Sequence, residues 1–121
     1  MAYDEVTTQR FRDALGDMDG ITEKRMMGGV CFLLNGNMIG GADKPKDAAK
    51  FGQTAGGARF MFRLGKENQA AGDKMPGAIP MEMGGRKMRG FYFVEEDGCD
   101  DEALQNWVDL SVGFAAKLPP K

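Results

Sequence analysis

Histidine is absent from the 121 residues. That removes at once the commonest general acid–base side chain and the commonest zinc ligand, leaving carboxylates, lysines and thiols to any enzyme reading. Cysteine is scarce. Cys31 lies inside an apolar run and Cys99 in an acidic turn, and one pair so placed is neither a disulfide framework nor a metal signature. The expectation is a reducing, cytoplasmic setting, with no metal and no cofactor. Long apolar runs are missing too. No stretch approaches the roughly 20 residues that a membrane helix needs, and the N-terminal region carries Asp4, Glu5, Arg10, Arg12, Asp13, Asp17 and Asp19 rather than the apolar centre of a signal peptide. No membrane contact is expected. Nor is there an excess of one charge: Lys plus Arg number 16 against 18 for Asp plus Glu. The net charge of −2 gives no global attraction to nucleic acid, although a local basic cluster still makes its own field.

What is present fits one soluble globular domain spanning residues 1–121, with 42% hydrophobic and 28% charged residues. Residues 3–18 read as an amphipathic helix with Phe11, Ala14, Leu15 and Met18 on one stripe, Asp4 as its N-cap and Asp19-Gly20 as its stop. Val30 to Leu34 is apolar at every position, as in a central strand, and Asn35-Gly36 is the strongest short hairpin signal because both residues tolerate positive φ. The return strand covers 37–42. Residues 43–57, with Pro45, several lysines and several glycines, read as a surface insertion with one helical turn near 47–51. Residues 59–64, 79–83 and 91–95 are further strands, and 66–74 a short polar helix. A long helix follows Asp97-Gly98, capped by Asp100 or Asp101, with Leu104, Trp107, Val108, Ser111, Ala115 and Leu118 facing inward and Pro119-Pro120 ending it. The order is α-β-β-β-α-β-β-α. It lacks the alternation of a doubly wound parallel sheet, so the expected class is α+β: a two-layer sandwich in which a five-stranded antiparallel sheet carries flanking helices.

Two segments hold the candidate chemistry. EKRMMGG (23–29) precedes the first apolar run, and MGGRKMRG (83–90) precedes another. A phosphate cradle needs spaced glycines between a strand and a helix. Here the glycines enter strands, and neither GxGxxG nor GxxxxGK[ST] occurs. The glycines are better explained by backbone bends or close approach. Lys24, Arg25, Arg86, Lys87 and Arg89 are then either solvated rim charges or one shared basic surface, formed if the two segments meet in the sheet. The ten methionines read as adaptable core filler or as a pliable partner groove. Copper held by thioethers would want Met with His or Cys at tight, repeated spacing, which the sequence does not show. Cys31 reads as inert packing, and Cys99 among Asp97, Asp100 and Asp101 has surroundings that disfavour a thiolate. The run EEDGCDDE suits a helix N-terminus and lacks EF-hand spacing. The aromatics of ARFMFRLG lack an RNP1 pattern and read as strand packing.

The chain resembles the TfoX N-terminal-domain family, related to the Sxy competence regulators. The resemblance is carried by MAYDE, by TEKRMMGGVCFLLNGNM (22–38), by GGRKMRGFYFV (84–94) and by DDEALQNWVDLSVGFAAKLPPK. It covers roughly residues 3–42 and 58–121. It implies a two-layer α+β fold with an antiparallel sheet, no enzymatic activity, and a single-domain member without the second, helical domain of the larger competence regulators. Those relatives regulate natural transformation and are thought to act with a transcriptional activator. The family's Lys-Arg-Met and Gly-Arg-x-Met-x-Gly signatures fall on Lys24, Arg25, Met26, Gly28 and Gly29, and on Gly85, Arg86, Met88 and Gly90. The aromatic usual after the first Met is Met27 here, and the Pro usual after the Arg is Lys87.

The expected function is therefore a small non-enzymatic regulatory or interaction domain. Its contact surface would be Lys24, Arg25, Met26, Gly28, Gly29, Gly85, Arg86, Lys87, Met88 and Arg89, and its partner a protein, with the chain a monomer or homodimer. Two alternatives stay open: direct nucleic-acid binding through a local basic patch, and a small-molecule-binding or catalytic domain of unknown substrate.

Overall fold

A computed structural model describes residues 5–26, 29–43, 58–83 and 85–120, the side chains of 5, 26, 83 and 87 excepted. The chain runs α1 (Glu5–Leu15), β1 (Ile21–Met26), β2 (Gly29–Leu34), β3 (Asn37–Asp43), β4 (Arg59–Arg63), α2 (Gln69–Asp73), β5 (Ile79–Met83), β6 (Arg86–Glu95) and α3 (Asp101–Ala115), with 3-10 turns at Lys66–Asn68 and Glu96–Gly98. The class is α+β, and the described residues form a single antiparallel sheet of six strands, not five, in the order β1-β2-β3-β4-β6-β5. The added strand is β1, and it contains Glu23 to Met26 of the first candidate segment. Its charged residues suit an edge strand, where solvated charges deter pairing with another chain. The second segment is a strand too, since β6 begins at Arg86 rather than Phe91.

Asn35 and Gly36 take φ of 51° and 83°, the double positive turn that closes a two-residue hairpin between β2 and β3. The first helix ends earlier than Asp19-Gly20. Gly16 takes φ 64° and its N–H reaches the carbonyls of Arg12 and Asp13, which finishes α1 and leaves Met18 outside it and exposed. Asp100 is the cap of α3, its Oδ1 accepting from the Ala103 N–H at 2.8 Å. That helix also stops before the prolines, at Ala115, and the Pro119 carbonyl instead accepts a bond from Asn37 Nδ2. The expected cap Asp4 and the expected helical turn at 47–51 lie outside the described residues.

Helices α1 and α3 lie side by side against β3 and β4, forming the second layer. Directly paired residues of neighbouring strands share a face. On the helix side the rows are Val30, Ala42, Phe60, Val94 and Phe32, Gly40, Phe62, Tyr92. Phe11 of α1 stacks on Phe32 with centroids 4.5 Å apart and on Phe62 at 5.6 Å, and Phe62 stacks on Trp107 of α3 at 5.1 Å. Gly40 leaves room for Phe11 in this column. Arg10 ties α1 to the start of α3, donating to Glu96 Oε2 at 2.6 Å, the Cys99 carbonyl at 2.7 Å and Asp101 Oδ1 at 3.0 Å. Among the described residues no helix is long and apolar enough to cross a membrane.

Candidate functional site

The two basic segments do not meet. Each closes a local hairpin, β1 with β2 and β5 with β6, and those hairpins form the opposite edges of the sheet. Four strand spacings separate β1 from β6, roughly 19 Å at the usual inter-strand distance. The segments also lie at opposite ends. Arg25 belongs to the row Val30, Ala42, Phe60, Val94, whereas Arg86 sits eight residues before Val94 on β6, roughly 26 Å along the strand. Lys24 and Arg25 thus occupy one corner, and Arg86, Lys87, Met88 and Arg89 the diagonal one. A continuous basic surface would have required β1 and β6 to be neighbours.

Within the segments the glycines have backbone tasks. A Cβ on Gly29 would stand 2.6 Å from the Ala42 carbonyl oxygen across the ladder. Gly85, with φ 81°, turns the β5–β6 hairpin. Gly90, with φ 80°, lies backbone to backbone against Gly65, accepting from the Leu64 N–H at 2.7 Å and donating to Gln69 Oε1. Gly28 lies outside the described residues, and Met26 and Lys87 are placed by their backbone alone.

The sheet face away from α1 and α3 holds the concave site. Its central row is Cys31, Gly41, Met61, Phe93 and Ile79, and the adjoining row is Gly29, Asp43, Arg59 and Glu95. Met38 and Met81 join them around an apolar groove of about 280 Å³, with the side-chain-free Gly41 among its lining residues. Arg59 closes one end. Its side chain is only 5% exposed, and Nε and Nη2 reach the Asp43 carboxylate at 2.8 and 3.1 Å. Its guanidinium also lies 3.6 Å over the Phe93 ring, so ion pairing and a cation–π contact fix one orientation. Phe60 and Phe62 of the same strand are core residues, as the packing reading of ARFMFRLG expects.

Cys31 is half-buried in the lining of the groove, with Sγ 3.6 Å from Met38 Sδ. Burial pushes the thiol pKa up, Asp43 adds to the rise, and Lys24, paired with Cys31 across the ladder, opposes it. Cys99 is buried on the helix side and its thiol is pushed up to about 11 by burial, against the pull of Arg10. Neither thiol is activated as a nucleophile. Among the described residues no three Cys, Asp or Glu side chains gather as a metal site.

The sequence reading offered a methionine-lined groove as one alternative but neither placed it nor included Cys31, although a signal for that existed. A two-residue turn at Asn35-Gly36 sets Leu33 opposite Met38, and Cys31 shares the face of Leu33, so Cys31 and Met38 are diagonal neighbours. The Asp43–Arg59 pair carried no such signal, because it depends on β4 joining β3 across the 44–57 connection.

A family model described as the TfoX N-terminal domain matches residues 13–115, which takes in both basic segments and the whole groove. No curated protein and no solved structure matches the chain.

Proposed function

The chain belongs to the TfoX N-terminal-domain family, and from that premise we propose that it is a non-enzymatic regulatory domain which docks a protein partner on the sheet face opposite α1 and α3. The observation that carries this reading is the apolar groove of Cys31, Met38, Met61, Met81 and Phe93 on the sheet face opposite α1 and α3. Methionine side chains are unbranched and polarisable and mould to an apolar partner segment. The buried Arg59–Asp43 pair gives the groove a rigid polar end that fixes the register of such a segment. The raised pKa values of both thiols agree with a binding role rather than nucleophilic catalysis. The regulatory context we propose, following the larger relatives, is transcriptional control of competence. Direct nucleic-acid binding is the weaker reading, since a phosphate backbone engages a continuous track of cations and the two basic segments stand at diagonal corners.

A photo-crosslinking residue at Met61 in the native host tests the docking face against one at Asn106 on the exposed side of α3. The expected result is a discrete protein adduct from position 61 alone. Equal adducts from both positions, or none from 61, overturn the assignment.

A further inference from the structure

We propose that the groove on the sheet face opposite α1 and α3 binds copper(I), with Cys31 Sγ and Met38 Sδ as the primary ligands and the thioethers of Met61 and Met81 completing a sulfur shell. The inference is independent of the docking partner and concerns the protein alone. In sequence these four residues are scattered and show no copper-binding spacing. The β2–β3 hairpin and the β3–β4–β6–β5 order bring them to one concavity.

Geometry comes first. Cys31 Sγ and Met38 Sδ are 3.6 Å apart. With metal–sulfur bonds of about 2.3 Å, as for zinc thiolates, two sulfurs at that distance subtend about 100° at a shared ion, close to tetrahedral. The pair therefore needs little movement to become two ligands of one cation. Met61 stands in the row of Cys31 with only Gly41 between them, and Met81 lies across the same groove. Both are flexible enough to turn their sulfurs inward.

Charge then selects the ion. Thioether and thiolate ligands favour copper(I) over harder cations. On binding, the Cys31 thiol loses its proton to solvent and the S–H bond is replaced by an S–Cu bond, with no change of oxidation state. A thiolate with a monovalent ion is neutral overall, so the apolar walls that disfavour a bare thiolate do not oppose the bound pair. A divalent ion would leave a net positive charge in the groove. Lys24, opposite Cys31, makes that charge less welcome, whereas Arg59 at the groove end is balanced by Asp43.

The test is an anaerobic titration of the full chain with copper(I), in competition with the chromophoric chelator bicinchoninate. The native protein is expected to withdraw one equivalent of copper, and Cys99→Ser to behave like it. Cys31→Ser should weaken binding at least tenfold and Met38→Leu several-fold, with circular dichroism showing each variant folded. Met61→Leu, which keeps volume and removes sulfur, provides a further check should Cys31→Ser fail to fold, and should weaken binding measurably. X-ray absorption at the copper edge is expected to show a shell of three or four sulfurs. Equal withdrawal by native protein and Cys31→Ser, loss of binding in Cys99→Ser, no effect of Met61→Leu, or a shell of nitrogen and oxygen each overturns the proposal.

Discussion

At Cys99 the surroundings decide whether a thiol can ionise. Burial raises its pKa from an ordinary 9.0 to about 11, and the carboxylates of Asp100, Glu96 and Asp101 add to the rise while Arg10 resists it. The folded protein thus holds this proton more tightly than the unfolded chain, and the stability this gives is complete below about pH 9. It drains away as pH climbs through 11, by about 3 kcal/mol for a two-unit difference. Urea denaturation of native protein and Cys99→Ala at pH 7, 9 and 11 should show the native protein losing its relative advantage only in the upper interval. Parallel pH profiles would refute the linkage. The acidic flank of Cys99 was legible from its neighbours in sequence. Arg10, 89 residues away along the chain, was not, because only the packing of α1 on α3 brings it there.

Among the elements, those that announce themselves are the ones whose signal is local. The Asn35-Gly36 turn, the inward stripe of α3 and the Asp100 cap each depend on residues within a few positions of one another, and the structure has all three, save that Leu118 of the expected stripe lies past the end of α3 and is only half-buried. The strand β1 has no such signal. Between Ile21 and Met26 stand Thr22, Glu23, Lys24 and Arg25, whose alternation is masked because an edge strand keeps polar groups on both faces. What holds it is the β2 ladder and the ion pair of Glu23 with Arg12 of α1. Glycine differs between element types for the same reason of surroundings. Gly29→Ala would press a methyl onto the Ala42 carbonyl of the neighbouring strand, where backbone cannot yield, and should destabilise by about 1–3 kcal/mol. Gly113→Ala lies in α3 with open space around it and should stabilise by up to about 1 kcal/mol through helix propensity. Chemical denaturation giving both substitutions the same sign would contradict this account.

Over the whole molecule, sheet order explains why the expected basic surface is two corners. Neighbours in sequence pair with each other from β1 through β4 and again in β5–β6, so the flanking hairpins are carried to opposite edges. Among the described strands, the one pairing between strands not consecutive in sequence is β4 with β6, which seats the second hairpin on the first four strands. The aromatic column bridges that junction, since Trp107 touches Phe62 of β4 and Tyr92 of β6 at once. This gives the molecule a built-in clock. Local hairpins close in microseconds, whereas seating Trp107 waits for the strands of both halves and for α3 to arrive. In stopped-flow refolding, the change in tryptophan emission should therefore be the slowest event, trailing the far-ultraviolet dichroism of the strands and helices. Emission that settled ahead of the dichroism would place the indole in the nucleus instead. Because the chain has one tryptophan, each photon it emits would date the moment at which the two halves of the sheet become one.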